Sequence, residues 1–317
     1  MMLTNDHILM TADNWRQQGH DVALAVVIHT WGSSPRQRGA LMAIRDDGQI
    51  AGSVSGGCVE TAVMESGLRL MQEGGAERLD FGVADETAWR VGLSCGGKIS
   101  VWVCPSSAME AGLLEDAAGL IAARKPVAIT CDLAAGQMLV ATDQGDANSL
   151  DAGETRFRLE VVAKPRLLIV GAVHISQHLA PMAIDAGFDV TVIDPRTTFA
   201  NEERFPGIDL VSDWPQDVLA DRVLDAQTAL VTLTHDPKID DAALNATLPH
   251  PVFHIACLGS RRTHQARLER LTEKGFSPEQ LARIKGPAGL DIGAETPAEI
   301  AVSVLAELIA AWRGKGA

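Results

Sequence analysis

The spacing of hydrophobic residues changes near the middle of the chain. In the first half, short or alternating apolar runs predict strands. These runs are 23–29, 41–45, 49–54, 78–83, 99–103, 127–131, 137–141 and 156–162. Helical spacing predicts helices at 4–18, at 59–72 and near 109–123. The first half is therefore predicted to be a mixed α/β domain.

In the second half, apolar strands alternate with helical segments. The strands are predicted at 167–170, 190–193, 229–233 and 252–256, and an amphipathic helix at 297–312. This alternation is typical of a parallel sheet with helices on both faces. We place the boundary near Lys164 and Pro165. The predicted fold class is α/β, with an N-terminal mixed α/β domain (1–163) followed by a C-terminal Rossmann-like parallel-sheet domain (164–317).

Composition and charge exclude several classes of protein. The 317 residues carry a net charge of −14, and Lys and Arg form no stripe, so we expect no nucleic-acid partner. The apolar runs are strand-sized and no signal peptide is evident, so we expect neither a membrane partner nor export. The five cysteines form no CxxC pair, which predicts free thiols in the cytoplasm and no structural metal.

The first candidate site is a loop rich in glycine and serine at 52–60, which reads Gly-Ser-Val-Ser-Gly-Gly-Cys-Val-Glu. It lies between a strand and a helix, where backbone amides and the helix dipole favour an anion such as a phosphate. A cysteine at a helix start is also stabilised as a thiolate. The candidate ligand-binding residues are Ser55, Gly56, Gly57, Cys58 and Glu60.

Two further loops extend this candidate site. The segment 91–98 places Cys95 beside Gly96, Gly97 and Lys98. The segment 31–39 adds two cations, Arg36 and Arg38. A glycine pair alone also fits a simple turn, and a cysteine alone fits a small buried residue. Two such loops in one domain favour a site for a small anionic molecule. The other cysteines, Cys104, Cys131 and Cys257, are interpreted as core residues.

The second half begins with a partial dinucleotide fingerprint. Gly171 occupies the first glycine position, but Val173 and Ser176 replace the second and third. The second glycine normally lets a pyrophosphate approach the backbone. Asp194 ends the next strand, near where a ribose-binding acid is expected. The missing glycines argue against NAD(P) binding, although a nucleotide site stays open as an alternative.

Other polar residues follow the predicted parallel strands. Because open α/β sheets bind ligands at the carboxyl ends of their strands, we expect these side chains to share one edge. They are His174, His235, Asp236, Gly259, Ser260 and Arg261. Ser260 is predicted to cap a helix while Arg261 faces an anion. The histidines fit ligand contacts, a metal site or structural roles equally well.

Five motifs in order resemble the XdhC/CoxI family, accessory proteins of molybdenum hydroxylases such as xanthine dehydrogenase. The N-terminal motifs are 52–60 and 92–97. The C-terminal motifs are Thr-Leu-Thr-His-Asp at 232–236, Leu-Gly-Ser-Arg-Arg-Thr at 258–263, and Gly-Leu-Asp-Ile-Gly-Ala at 289–294 with Thr-Pro-Ala-Glu-Ile at 296–300. The resemblance spans nearly the whole chain.

The resemblance implies a chaperone with no turnover of its own. Such proteins bind the molybdenum cofactor (molybdopterin) while a cysteine desulfurase supplies its sulfido ligand, and pass it to the large subunit of the apo-hydroxylase. The resemblance also implies a homodimer. Cys58 or Cys95 would then contact molybdenum or relay sulfur. The glycine-loop amides with Arg36, Arg38 and Lys98 would hold the phosphate.

Two other functions compete with this interpretation. One is an NAD(P)-dependent oxidoreductase that uses the Rossmann-like half. The other is a nucleotidyltransferase acting on molybdopterin, which lacks support because we find no glycine-rich phosphate loop with a paired Mg²⁺-binding aspartate. The sequence does not choose the hydroxylase served, the cysteine that contacts the cofactor, or the ligand of the second half.

Overall fold

The chain divides into two compact units, Met1–Ala163 and Lys164–Ala317. The computed structural model describes residues 4–32, 36–57, 59–82, 97–141 and 145–314. Within the described residues, no helix is both long and apolar enough to cross a membrane.

The first unit contains two antiparallel sheets. The five-stranded sheet has the order β3-β2-β1-β5-β4, and the four-stranded sheet the order β7-β6-β9-β8. Its strands are β1 (Val22–Trp31), β2 (Leu41–Arg45), β3 (Ile50–Gly52), β4 (Glu77–Phe81), β5 (Lys98–Pro105), β6 (Val127–Asp132), β7 (Gln137–Val140), β8 (Ser149–Leu150) and β9 (Arg156–Val161). Its helices are α1 (Asn5–Gln17), α2 (Glu60–Glu73) and α3 (Leu113–Ala122).

The central strand β1 is buried on both faces, which explains its nearly continuous apolar sequence. Leu24 and Val26 pack in the same cluster as Ile8 of α1. Ala25 lies on the other face, in a cluster with Val63 of α2. Each large apolar side chain buried in this way contributes about 1.5–3 kcal/mol to stability. The five-stranded sheet is thus packed between helices.

The second unit is a six-stranded parallel sheet in the order β12-β11-β10-β13-β14-β15. Its strands are β10 (Arg166–Val170), β11 (Asp189–Ile193), β12 (Asp209–Val211), β13 (Thr228–Thr232), β14 (His254–Cys257) and β15 (Ile284–Lys285). Its helices are α4 (His174–Asp185), α5 (Pro215–Ala220), α6 (Pro237–Thr247), α7 (Arg261–Glu273), α8 (Pro278–Leu281) and α9 (Pro297–Trp312). The predicted fold class is confirmed.

Both faces of the parallel sheet are covered. Leu167 points towards a cluster that includes Leu179 of α4 and Val304 of α9. Leu168, the next residue along β10, packs on the opposite side with Leu244 of α6. The strand order reverses between β10 and β13. The loops that follow these two strands therefore flank the crevice where such sheets bind ligands.

Candidate functional site

The carboxylate of Glu60 lies at the centre of the first candidate loop. Glu60 begins α2, and its side chain turns back towards the loop that precedes the helix. The hydroxyls of Ser53 and Ser55 donate to it at 2.7 and 2.6 Å. Backbone amides also donate to it at 2.8–3.2 Å, from Val54, Ser55, Gly56, Gly57 and Val59.

These contacts keep Glu60 ionised. Burial raises the pKa of this carboxyl, but the hydrogen bonds from Ser55 and Ser53 and from the loop amides outweigh burial and lower the pKa to about 2. At neutral pH the loop therefore surrounds a fixed negative charge that the chain itself supplies.

This arrangement gives the loop amides a partner within the protein itself. The sequence predicts that the amides of Ser55, Gly56 and Gly57 hold the phosphate of a ligand, with Glu60 as a further ligand contact. In the structure these amides donate to Glu60 instead. A backbone N–H that already has a carboxylate partner is not free for a phosphate, so Glu60 organises the loop.

The third loop approaches the first through Arg36. Its Nε donates to the carbonyl oxygen of Ser53 at 3.0 Å. Arg38 is exposed, and Gly97 is buried directly before β5. Cys58, Cys95 and Gly96 lie outside the described residues. Gly57 and Val59, the chain neighbours of Cys58, both donate to Oε2 of Glu60.

In the second unit, Asp194 is fully buried at the end of β11. It accepts hydrogen bonds from the Ala172 amide at 2.8 Å and from Nε and Nη2 of Arg196 at 2.9 and 2.7 Å. Burial raises the pKa of Asp194, but the contacts with Arg196 and the Ala172 amide outweigh it, and the pKa is lowered. The oxygens of Asp194 are therefore buried and paired within the protein, and the expected ribose contact stays a prediction.

At the start of α4, backbone groups are also hydrogen-bonded within the protein. The Ser176 hydroxyl accepts from the Val173 amide at 2.8 Å and contacts the Gly171 carbonyl oxygen at 2.7 Å. Ser176 stands where the third fingerprint glycine is expected. Gly171 itself fits tightly, since a Cβ there would lie 2.8 Å from Cγ2 of Thr234. The loop is thus satisfied internally rather than open to a pyrophosphate.

The histidines at this edge are exposed. His174 begins α4. His235 follows β13 with a φ of 60°, a left-handed conformation that is uncommon for a residue with a side chain. The turn around it is fixed by the Thr234 hydroxyl, which donates to Asp240 at 2.6 Å. Asp236 caps α6 by accepting from the Lys238 amide at 2.9 Å.

The loop after β14 lies close to the motif at 289–294. Ser260 accepts from the Thr263 amide at 3.2 Å, so its predicted cap on α7 is confirmed. Gly259 precedes it, and Arg261 is exposed at the helix start. Arg261 and Leu258 line a cavity of ≈ 340 Å³ with part of the segment 287–294. The structure therefore brings together the motifs at 258–263 and 289–294.

The buried pair of Asp240 and Arg267 was not among the residues that the sequence singled out. Their side chains are each 2% exposed, with 3.6 Å between Oδ2 and Nη2. Burial is the largest influence on Asp240 and raises its pKa. The only sequence signal is a charge at a core-facing position of a helix. Across the part of the chain that the structure describes, no group of three His, Cys, Asp or Glu side chains is placed to hold a metal ion.

Comparison with known proteins supports this architecture. The family model for the XdhC Rossmann domain matches residues 167–308. The model for the XdhC and CoxI family matches residues 15–82. A solved structure described as a xanthine dehydrogenase from Bacillus halodurans superposes with a TM-score of 0.75 at 25% identity, covering 99% of this chain and 97% of that one.

Curated relatives match along almost the whole chain. The molybdenum cofactor insertion chaperone PaoD of Escherichia coli (strain K12) is 31% identical, over 96% of this chain and 89% of PaoD. A protein of Bacillus subtilis (strain 168) named as a probable xanthine dehydrogenase subunit is 29% identical, over 96% and 97%. The uncharacterized protein YqeB of Escherichia coli is 29% identical over 96% of this chain, which spans 46% of YqeB.

The fold and the matched segments define a two-unit α/β protein with a C-terminal Rossmann domain. The chain belongs to the XdhC/CoxI family.

Proposed function

We propose that this protein binds the molybdenum cofactor and delivers it to a molybdenum hydroxylase such as xanthine dehydrogenase. The 31% identity to PaoD, named as a molybdenum cofactor insertion chaperone, supports this role. This role would also explain why the candidate site of this protein consists of loops that carry cysteines. The protein is a chaperone in this proposal, and the cofactor is its cargo.

The loop held by Glu60 is the observation that carries the proposal. Because Gly57 and Val59 both donate to Oε2 of Glu60, the backbone on either side of Cys58 is fixed. Cysteine sulfur is a soft ligand, and soft ligands suit thiophilic metal centres. We infer that Cys58 or Cys95 contacts molybdenum or relays sulfur.

The cofactor phosphate needs partners other than the loop amides, because those amides are paired with Glu60. Arg38 and Lys98 are exposed cations beside the predicted loops. Arg36 is held at the same loop by the carbonyl of Ser53. We infer that these side chains hold the phosphate, as charge-assisted hydrogen bonds to phosphate are stronger than neutral ones.

The proposal extends to the partners and the setting. The cofactor is held while a cysteine desulfurase supplies its sulfido ligand, and is then passed to the large subunit of the apo-hydroxylase. The protein acts as a homodimer in the cytoplasm. Residues 1–163 form the XdhC/CoxI-type domain that holds the cargo, and residues 164–317 form the Rossmann-like domain.

Cofactor content tests the proposal directly. The protein is purified without oxygen from cells that make the cofactor, and bound pterin is oxidised with iodine and measured by fluorescence. We expect pterin in the wild type and a loss in Cys58→Ala or Cys95→Ala. Cys104→Ala is the matched control, because burial raises the pKa of the Cys104 thiol to about 12.

The second readout is activation of an apo-hydroxylase by the purified protein. Loaded wild type should restore its activity, and a cysteine variant without pterin should not. A wild type that carries no pterin, even after incubation with released cofactor, contradicts the proposal. Normal loading and transfer by both cysteine variants contradicts the cysteine role alone.

A further inference from the structure

The five-stranded sheet of the first unit ends in an open pocket, and Lys98 is the one residue of its lining to which the proposed function assigns a role. The pocket has a volume of ≈ 480 Å³ and lies over one end of β1, β5 and β4. We call it the Trp31 pocket, defined by His29, Trp31, Arg78, Asp80, Lys98 and Ser100. Its volume is within the range of small-molecule sites.

A β-bulge in β1 creates this pocket. Before the bulge, Val26 pairs with Trp102 and Val27 with Val101. The register then shifts, so that His29 pairs with Ser100 and Trp31 with Lys98. Side chains alternate along a strand, so Lys98 and Ser100 share the face of Trp102.

The bulge therefore changes the face on which His29 and Trp31 lie. Without the extra residue, both would continue the alternation of Val27, whose face packs in the cluster with Val63 of α2. With it, they lie beside Lys98 and Ser100 on the other face. Bulges that redirect side chains are over-represented next to active sites.

Trp31 is an aromatic surface that the described residues leave uncovered. The residue is 64% exposed, which is unusual for a tryptophan in a folded protein. Nζ of Lys98 lies 6.0 Å from the centroid of the ring. A Cβ on Gly82 would lie 3.0 Å from Cγ of Lys98, so the glycine leaves room for the lysine stem.

The charges of the pocket differ in how far they are already paired. Arg78 already has partners within the protein, because its guanidinium contacts Asp80 at 3.1 Å, Glu154 at 3.0 Å and the Ser100 hydroxyl at 3.4 Å. Ser100 in turn donates to Asp80. Apart from the ring of Trp31, Lys98 has no side-chain partner among the described residues. An exposed ring beside an ammonium that can still take a partner fits a planar anion.

We propose that the Trp31 pocket binds a planar heteroaromatic ring that carries a negative group, with the ring stacked on Trp31 and the negative group paired with Lys98. Identification of this ring as the pterin of the molybdenum cofactor rests on the proposed function. The stacking chemistry is independent of that function, because any flat heterocycle presents a π-face.

Pterin retention in the purified full-length protein tests the stacking role. We expect Trp31→Ala to retain about ten-fold less pterin than the wild type, because removal of one stacking ring weakens binding by about this factor. Trp31→Phe should retain most of it, because it keeps an aromatic face. Trp214→Ala is the matched control, since Trp214 is 42% exposed in the other unit. Wild-type loading in Trp31→Ala overturns the inference and leaves the proposed function standing.

A second experiment separates the two claims. Equilibrium dialysis measures binding of pterin-6-carboxylate, a fluorescent pterin with one negative group, to the pterin-free protein. We expect saturable binding that weakens about ten-fold in Trp31→Ala and in Lys98→Ala, with Lys98→Arg close to wild type. If the wild type binds this pterin but carries no cofactor when it is purified from cells, the result supports the pocket and contradicts the proposed function. Absence of binding in both experiments overturns the inference.

Discussion

The hydroxyl of Ser55 donates to Oε2 of Glu60 at 2.6 Å, and the backbone amide of Ser55 donates to Oε1 at 2.8 Å. One serine is therefore held at both its backbone and its side chain by one carboxylate. Because this carboxylate also accepts from the amides of Gly56 and Gly57, one side chain of the protein itself holds this part of the glycine-rich loop.

We expect Glu60→Gln to lower the free energy of unfolding by about 2 kcal/mol at pH 7. The amide of glutamine keeps the volume but loses the charge and one acceptor, so loop N–H groups lose their partner. Urea denaturation measures the change. Glu65→Gln, an exposed change on the same helix, should leave the midpoint near that of the wild type.

The difference in stability between the wild type and Glu60→Gln should depend on pH. The pKa of Glu60 in the folded protein is about 2, below the ordinary value of 4.5. Its contribution to stability is therefore present above about pH 4.5 and is lost as the pH falls towards 2. The stability gap between wild type and Glu60→Gln should shrink over that range, and a constant gap would contradict the role of the charge.

Arg196→Ala should destabilise the second unit by about 3 kcal/mol, because it removes the partner of the fully buried Asp194. The pKa of Asp194 is lowered from 3.8 in the folded protein, so the loss should be largest above that pH and smaller below it. Chemical denaturation at pH 7 and pH 3 measures both values. Adding Asp194→Asn should recover part of the loss. Arg262→Ala, on the exposed start of α7, is the control.

Gly171→Ala should destabilise more than Gly187→Ala, although both glycines have positive φ, of 118° and 99°. A Cβ at Gly187 meets nothing within 4 Å, whereas one at Gly171 lies 2.8 Å from Cγ2 of Thr234. We expect about 1 kcal/mol for the backbone strain alone and a further 1–3 kcal/mol for the steric overlap. Thermal unfolding of the two variants measures the difference, and equal shifts would contradict the close packing.

Calorimetry with NADH or NADPH at millimolar concentration should show no binding heat. The Ala172 amide is paired with Asp194 and the Val173 amide with Ser176, so the groups that usually contact the pyrophosphate and ribose are already occupied. Saturable binding that Gly171→Ala abolishes would instead support the oxidoreductase alternative.

Much of the fold was predictable because each strand is short, apolar and bounded by turns. The strands at 41–45 and 167–170 match β2 and β10 closely, and α9 has the predicted bounds. Short edge strands β12 and β15 were missed, because strands of two or three residues carry too little periodicity to detect. Within the described part of the site, the loop at 53–57 and the cap at Ser260 were predictable from residue chemistry alone.

The pairing of the site residues was not predictable in the same way. The sequence indicates that an anion belongs among the amides at 52–60, but not that Glu60 supplies it. It places Asp194 at the end of a strand, but it does not indicate that Arg196 pairs with it. A charge is equally able to meet a ligand or a neighbour, and local spacing does not decide which.

The sequence by itself determined the α/β class, the glycine–cysteine loops and the candidate residues, because periodicity and side-chain chemistry are local properties. Only the tertiary structure decided which of those groups are already satisfied and which are open. Hydrogen-bond partners and strand register depend on residues distant in the chain. One extra residue in β1 placed His29 beside Ser100 and Trp31 beside Lys98, and no local pattern contains that information.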